Sequence, residues 1–137
     1  MIYLDTCIVI YLVEQHPDYL PKLKTLLSNV NSTAISPLVE METLIHPLRN
    51  KNIPLMEAYQ SFFDCCTVLE MPTEVYRQAA IIRAENNLKT PDALHLATAM
   101  SHGCLSFWTN DDRIARVAPT LAFNVLSAIP SQLSLRN

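Results

Sequence analysis

The feature that most constrains this chain is its alternation of short apolar runs with longer segments of helical character. Ile2 to Leu4, Thr33 to Ser36, Thr67 to Leu69, Leu105 to Thr109 and Phe123 to Leu126 read as strands. Cys7 to Val13 has no deciding period, but Asp5-Thr6 before it is a helix start, so it is read as helix. Leu20, Leu23, Leu26, Leu27 and Val30 recur at helical spacing within 19–30. Pro37 fits the first position of a helix capped by Ser36 and reaching about Leu48, and Pro54 starts another through Met56, Tyr59, Phe62 and Phe63. Thr73 is read as the cap of a helix from Glu74. Thr90-Pro91-Asp92 opens the next, which Gly103 ends, and Asp111 or Asp112 caps a short last helix with Ile114 and Val117. Strands separated by helices favour a parallel sheet covered on both faces, so the fold class is α/β.

Composition narrows the choice of function. The chain has 137 residues, half of them hydrophobic, with 17% charged and one glycine. That is the length of one domain, here taken as 1–137, with ample material for a core and nothing of a disordered or collagen-like chain. A net charge of −3 argues against a polybasic nucleic-acid binder, so any contact with nucleic acid must use a local patch or metal ions. Cys65 and Cys66 are adjacent and no CxxC pair exists, which argues against structural zinc and for free thiols in a reducing compartment. The start lacks a basic signal region and no apolar stretch reaches membrane-spanning length, so a soluble cytoplasmic protein is expected.

The acids fall in telling places. Asp5 follows the first strand, Glu40 lies near the start of the helix after the second, and Asp92 opens a helix. Asp111 follows a later strand with Asp112 beside it. In an open α/β sheet, strand ends and the following helix starts share one edge, where ligands bind. Carboxylates gathered there without a basic partner either protonate or hold a cation, and all-oxygen ligation suits Mg²⁺ or Mn²⁺. The chemistry indicated is metal-assisted hydrolysis of a phosphodiester. Singly, each acid has a plainer reading: Asp5 and Asp111 as caps or turn formers, Asp92 as a partner of the helix dipole, Glu40 as a surface acid. Jointly the plain reading weakens, because Asp5 ends an apolar run where nothing else demands charge.

Four segments carry a family resemblance: Met1-Ile-Tyr-Leu-Asp5-Thr6, Ile35-Ser36-Pro-Leu-Val-Glu40, Thr90-Pro91-Asp92-Ala93-Leu94-His95-Leu-Ala97-Thr98-Ala99, and Trp108-Thr109-Asn110-Asp111. In this order and spacing the chain resembles the PIN-domain ribonucleases, and within them the toxins of VapBC-type toxin–antitoxin pairs. The resemblance implies a doubly wound parallel sheet with helices on both faces and a Mg²⁺- or Mn²⁺-dependent endoribonuclease that leaves a 5′-phosphate and a 3′-hydroxyl. It assigns Asp5, Glu40, Asp92 and Asp111 to the metal site, with Thr109 at the family's hydroxyl position and Thr6 following the first acid. Asp112 is either an outer oxygen or a cap. Cys7 departs from the small polar residue expected there. The resemblance also implies RNA as substrate, a homodimer, and a small antitoxin whose C-terminal segment lies over the site.

His95 follows Asp92 by about one helical turn and is read first as a structural histidine, while His16, His46 and His102 show no ligand spacing. Arg113 and Arg116, near Asp111, and Arg49 and Lys51 are candidates for RNA contact. Tyr59, Phe62 and Phe63 are mostly core, with any exposed part offering a dimer or antitoxin surface. A haloacid-dehalogenase-like phosphatase would need an acid where Cys7 stands, a receiver domain lacks its paired acid and late lysine, and the P-loop signature is absent. The remaining alternative is a catalytically silent PIN-like module that binds RNA or protein.

Overall fold

A computed structural model describes residues 1–127. The elements run β1 (Ile2–Leu4), α1 (Thr6–Val13), α2 (Leu20–Leu27), β2 (Thr33–Ile35), α3 (Pro37–Arg49), α4 (Ile53–Asp64), β3 (Thr67–Val68), α5 (Thr73–Glu85), α6 (Thr90–Ser101), β4 (Ser106–Thr109), α7 (Asp112–Val117) and β5 (Ala122–Asn124). Residues 128–137 of the expected domain lie outside the described part.

The strands form one parallel sheet in the order β3-β2-β1-β4-β5. The chain winds outward from β1 through β2 to β3, then crosses back and winds the other way through β4 and β5. The sheet is doubly wound, as expected, and its winding reverses between β1 and β4. Every residue of β1 and β4 is buried. Successive strand residues point to opposite faces, so both faces must be covered. Helices α1, α3 and α4 pack on one another, and α5 packs on α6. Trp108, Phe107, Tyr3, Leu4 and Ile8 form the centre of the core. Truncating a fully buried aromatic such as Trp108 to alanine costs about 3–5 kcal/mol.

Several local expectations shift when side chains find other partners. Ser36 occupies the N-cap position of α3 but makes no capping bond, because its hydroxyl meets that of Tyr3 at 2.8 Å. Thr73 and Thr90 sit inside their helices, behind Pro72 and Lys89, rather than capping them. Asp111, not Asp112, caps α7 by accepting the Arg113 N–H. The last strand ends at Asn124, whose side chain accepts the Leu126 N–H and turns the chain. Gly103, in the left-handed region, closes α6 as expected. Tyr59 and Phe63 are core, whereas the exposed apolar residues in this region are Met41, Ile45 and Leu48 of α3 and Ile53 at the start of α4.

Candidate active site

The reversal of winding leaves a crevice beyond the carboxyl ends of β1 and β4, where open α/β sheets bind ligands. A cleft of about 390 Å³ lies beside them, lined by Asp5, Glu42, Asp92, His95 and Asp111, with Thr6, Cys7, Ile10, Tyr11 and Asn110. Three of the four expected acids, Asp5, Asp92 and Asp111, thus meet in space from distant parts of the chain.

Asp5 is the first residue beyond β1 and the N-cap of α1. Its Oδ1 accepts the Thr6 N–H at 2.8 Å, and its Oδ2 accepts the Thr109 hydroxyl at 2.7 Å. Its own N–H donates to the Trp108 carbonyl, continuing the pairing of β1 with β4. The Thr109 oxygen also accepts the Asp111 N–H at 3.0 Å, so one hydroxyl joins the carboxylate of one acid to the backbone of another. Asp111 Oδ1 caps α7 and is fixed in turn by Arg113, whose Nη2 lies 3.2 Å from Oδ2. Burial works against ionising Asp111, but the hydrogen bonds and charge of Arg113 win and hold its carboxyl below the usual range. The acidic cluster is therefore not free of basic neighbours, as the sequence suggested.

Asp92 stands in the first turn of α6 and has no such partner among the described residues. Burial, then the charges of Asp5 and Asp111, push its carboxyl above the ordinary value, against smaller opposing effects of His95 and Arg113. Cys7, where a small polar residue was expected, donates weakly to Asp5 Oδ2 across 3.8 Å. Burial and the charge of Asp5 push its thiol up to about 12, which keeps it protonated and unreactive at neutral pH.

The glutamate in the cleft is Glu42, not Glu40. Both lie on α3, but two positions along a helix is about 200° of rotation, so the two side chains leave opposite faces. Glu42 Oε1 accepts the Thr6 hydroxyl at 2.7 Å and lies 2.6 Å from His95 Nε2. Burial opposes its ionisation, but those two hydrogen bonds and the nearby imidazole leave the carboxyl below its ordinary value. His95, one turn after Asp92, is buried as expected of a structural histidine but also belongs to the cleft. Alternate assignment of Glu42 was open to sequence: the helix start at Pro37 fixes the phase of α3, and only one of its first acids can share a face with the strand ends.

The other candidates divide. Thr6 and Thr109 hold cleft carboxylates. Asp112 turns away, accepting the Asn124 amide at 2.9 Å and tying α7 to β5. Arg113 sits at the cleft margin on Asp111, and Arg116 is exposed on the last turn of α7.

The profile of the PIN domain family matches residues 2–119. The chain belongs to the PIN domain family. No curated protein sequence matches it. Among solved structures, this PIN domain is similar to VapBC2 from Rickettsia felis bound to a DNA fragment from their promoter (22% identity, TM-score 0.74, covering 90% of this chain and 98% of that one). It is also similar to FitAcB from Neisseria gonorrhoeae (20%, 0.77, 93% and 100%). A third is the sarcin-ricin loop cleaving toxin VapC20 of Mycobacterium tuberculosis (17%, 0.72, 86% and 95%). The PIN domain thus has the fold of VapC-like toxins over nearly its whole described length. None of its helices, among the described residues, is long and apolar enough to cross a membrane.

Proposed function

We propose that this PIN domain is a divalent-metal-dependent endoribonuclease and the toxin of a VapBC-type pair. The observation that carries the reading is the meeting of Asp5, Asp92 and Asp111 at the reversal of the sheet, with the carboxyl of Asp92 pushed upward by burial and then by the charges of the other two. Repulsion among carboxylates at a ligand crevice is what a cation would relieve. The donor set is all oxygen, which fits a hard ion such as Mg²⁺ or Mn²⁺. Among the described residues no three acidic, histidine or cysteine side chains close into a ligand cage.

Asp5, Asp92 and Asp111 would hold the ion, and Glu42, in the part first given to Glu40, would reach it directly or through water. The ion would supply Lewis-acid stabilisation of the negative charge on the phosphate. Glu42, kept ionised by His95 and Thr6, accepts a hydrogen bond from the attacking water and orients it. Attack in line forms a new P–O bond as the 3′ oxygen leaves, giving a 5′-phosphate and a 3′-hydroxyl. Arg113 and Arg116 offer charge to the RNA backbone beside the cleft. Thr109 keeps Asp5 and Asp111 in register through both steps of its hydrogen bonding.

A structural neighbour supports the partner reading, since the one from Klebsiella pneumoniae is a toxin–antitoxin complex. A small antitoxin whose C-terminal segment covers the cleft is proposed for this chain, along with a homodimer and a cytoplasmic site of action. The exposed stripe of Met41, Ile45 and Leu48 is the surface assigned to self-association, and Ile45→Glu should shift a dimer towards monomer in sedimentation.

The function is tested by incubating RNA with the purified chain in Mn²⁺, in Mg²⁺ and in EDTA, with Asp5→Asn as control. Cutting that needs a divalent ion and Asp5, and yields 5′-phosphate ends, supports the nuclease. Retarded but intact RNA in all three conditions would instead favour a silent binding module.

A further inference from the structure

We propose that His95 is a positioning residue for Glu42: it consumes one carboxylate oxygen and leaves the other to face the cleft. This rests on reading the cleft as a nuclease metal site, and names how that site keeps its glutamate in place.

Glu42 lies well inside α3, and its long side chain would lose much rotamer freedom on being held still. Its restraints come from elsewhere in the chain. Thr6 of α1, 36 residues away, and His95 of α6, 53 residues away, both converge on Oε1. No hydrogen bond to Oε2 is made among the described residues, so that oxygen is available to a hydrated ion or to water. The same helix that carries Asp92 into the cleft thus supplies, one turn later, the ring that aims Glu42.

The ring itself is held from behind. His95 is buried, and its Nδ1 lies 2.7 Å from the Tyr3 hydroxyl, which lies 2.8 Å from that of Ser36. An ionised Glu42 can only accept, so His95 Nε2 carries the proton towards it. In the neutral ring Nδ1 then accepts from Tyr3, and Tyr3 accepts from Ser36. In that state donation runs one way, from Ser36 through Tyr3 and His95 to Glu42, and the contacts on both ring nitrogens fix the ring plane. This explains why Ser36 gives up its capping bond and why two hydroxyls are buried at the centre of the sheet. His95 Nε2 also lies 3.4 Å from the Thr6 hydroxyl oxygen and 3.8 Å from Asp5 Oδ1, both longer than its 2.6 Å contact with Glu42, so Glu42 is its nearest acceptor.

The test is a double-mutant cycle read by Mn²⁺ binding to the intact chain without RNA, using electron paramagnetic resonance, with cleavage measured in parallel. His95→Leu should weaken Mn²⁺ binding by about 10- to 100-fold. His95→Gln, which can place an amide donor near the Nε2 position, should recover most of that loss. In a Glu42→Gln background His95→Leu should add nothing, because the two act as one unit. A histidine that merely packs would give losses that add in the cycle, and no rescue by glutamine; either result overturns the proposal. If His95→Leu does not fold, Tyr3→Phe keeps the ring packing and removes only the hydroxyl. It should weaken Mn²⁺ binding several-fold, and an unchanged affinity would overturn the proposal. A wild-type chain that binds Mn²⁺ in this pattern but leaves RNA intact refutes the nuclease and not the role of His95.

Discussion

The two sides of the cleft hold their carboxylates by opposite means. On the strand side, Asp5 and Asp111 are helix caps, fixed by N–H groups one or two residues away and joined through Thr109. On the helix side, Glu42 has no local hydrogen bond among the described residues and depends on hydroxyl and imidazole groups delivered by α1 and α6. The first kind of support is backbone geometry and resists substitution of its surroundings. The second is a buried polar network, in which loss of one member leaves the others unpaired. A nuclease built this way would have rigid metal ligands on one side and an adjustable group on the other.

This difference predicts a graded series. The largest effect belongs to Asp5→Asn: cleavage should fall by on the order of 10²- to 10³-fold, while thermal unfolding shows a stable protein, since the amide oxygen keeps the cap and the amide nitrogen can donate to the Thr109 oxygen, reversing that bond. Full activity in that variant would remove Asp5 from the chemistry. Thr109→Val comes next. It strips Asp5 of a buried donor and Asp111 of an acceptor, and should destabilise the fold by about 1–3 kcal/mol in denaturant titration while lowering cleavage. Equal stability and activity would show that the strand side needs no such link.

The third prediction sets the two sides against each other by pH in metal-free protein. Asp92 is raised from 3.8, so its ionised form is a penalty present at neutral pH and relieved as pH falls through the raised value. Glu42 is lowered from 4.5, so its contribution is present above 4.5 and lost as pH falls through the depressed value. Asp92→Asn should therefore raise the melting temperature at pH 7, by roughly 2–4 °C, and Glu42→Gln should lower it. Saturating Mg²⁺ should cancel much of the gain from Asp92→Asn. Shifts of the same sign in both variants would contradict the contrast. The smallest effect is that of Arg113→Ala, which frees Asp111 from an exposed pair. Mn²⁺ affinity should tighten by no more than about fivefold, and weaker Mn²⁺ binding would mean that Arg113 helps to place the ligand instead.

The same contrast governs what sequence could disclose. Asp5, Asp92 and Asp111 are readable because each stands at an element boundary, marked by a strand end or a proline-led helix start. The five strands and the alternation behind them are readable for the same local reason. Glu42 is not legible in the same way: distance from the helix start points to Glu40, and only rotation about the helix axis separates the two. The sequence presents His95 as a packing residue because its partners, Tyr3 and Glu42, lie far away along the chain and only tertiary structure joins them. Arg113 was seen as an RNA contact, but its pairing with Asp111 depends on how α7 is capped.

The pairing of β1 with β4 has a further consequence. Leu4 sits opposite Trp108, so Asp5 sits opposite Thr109, and adjoining strands lie about 4.8 Å apart whatever their side chains. The hydrogen-bonded ladder thus serves as a ruler for the gap between these anchors. Outer helices and connections can lengthen, shorten or change almost every residue without altering that gauge, provided the two central strands keep their alignment.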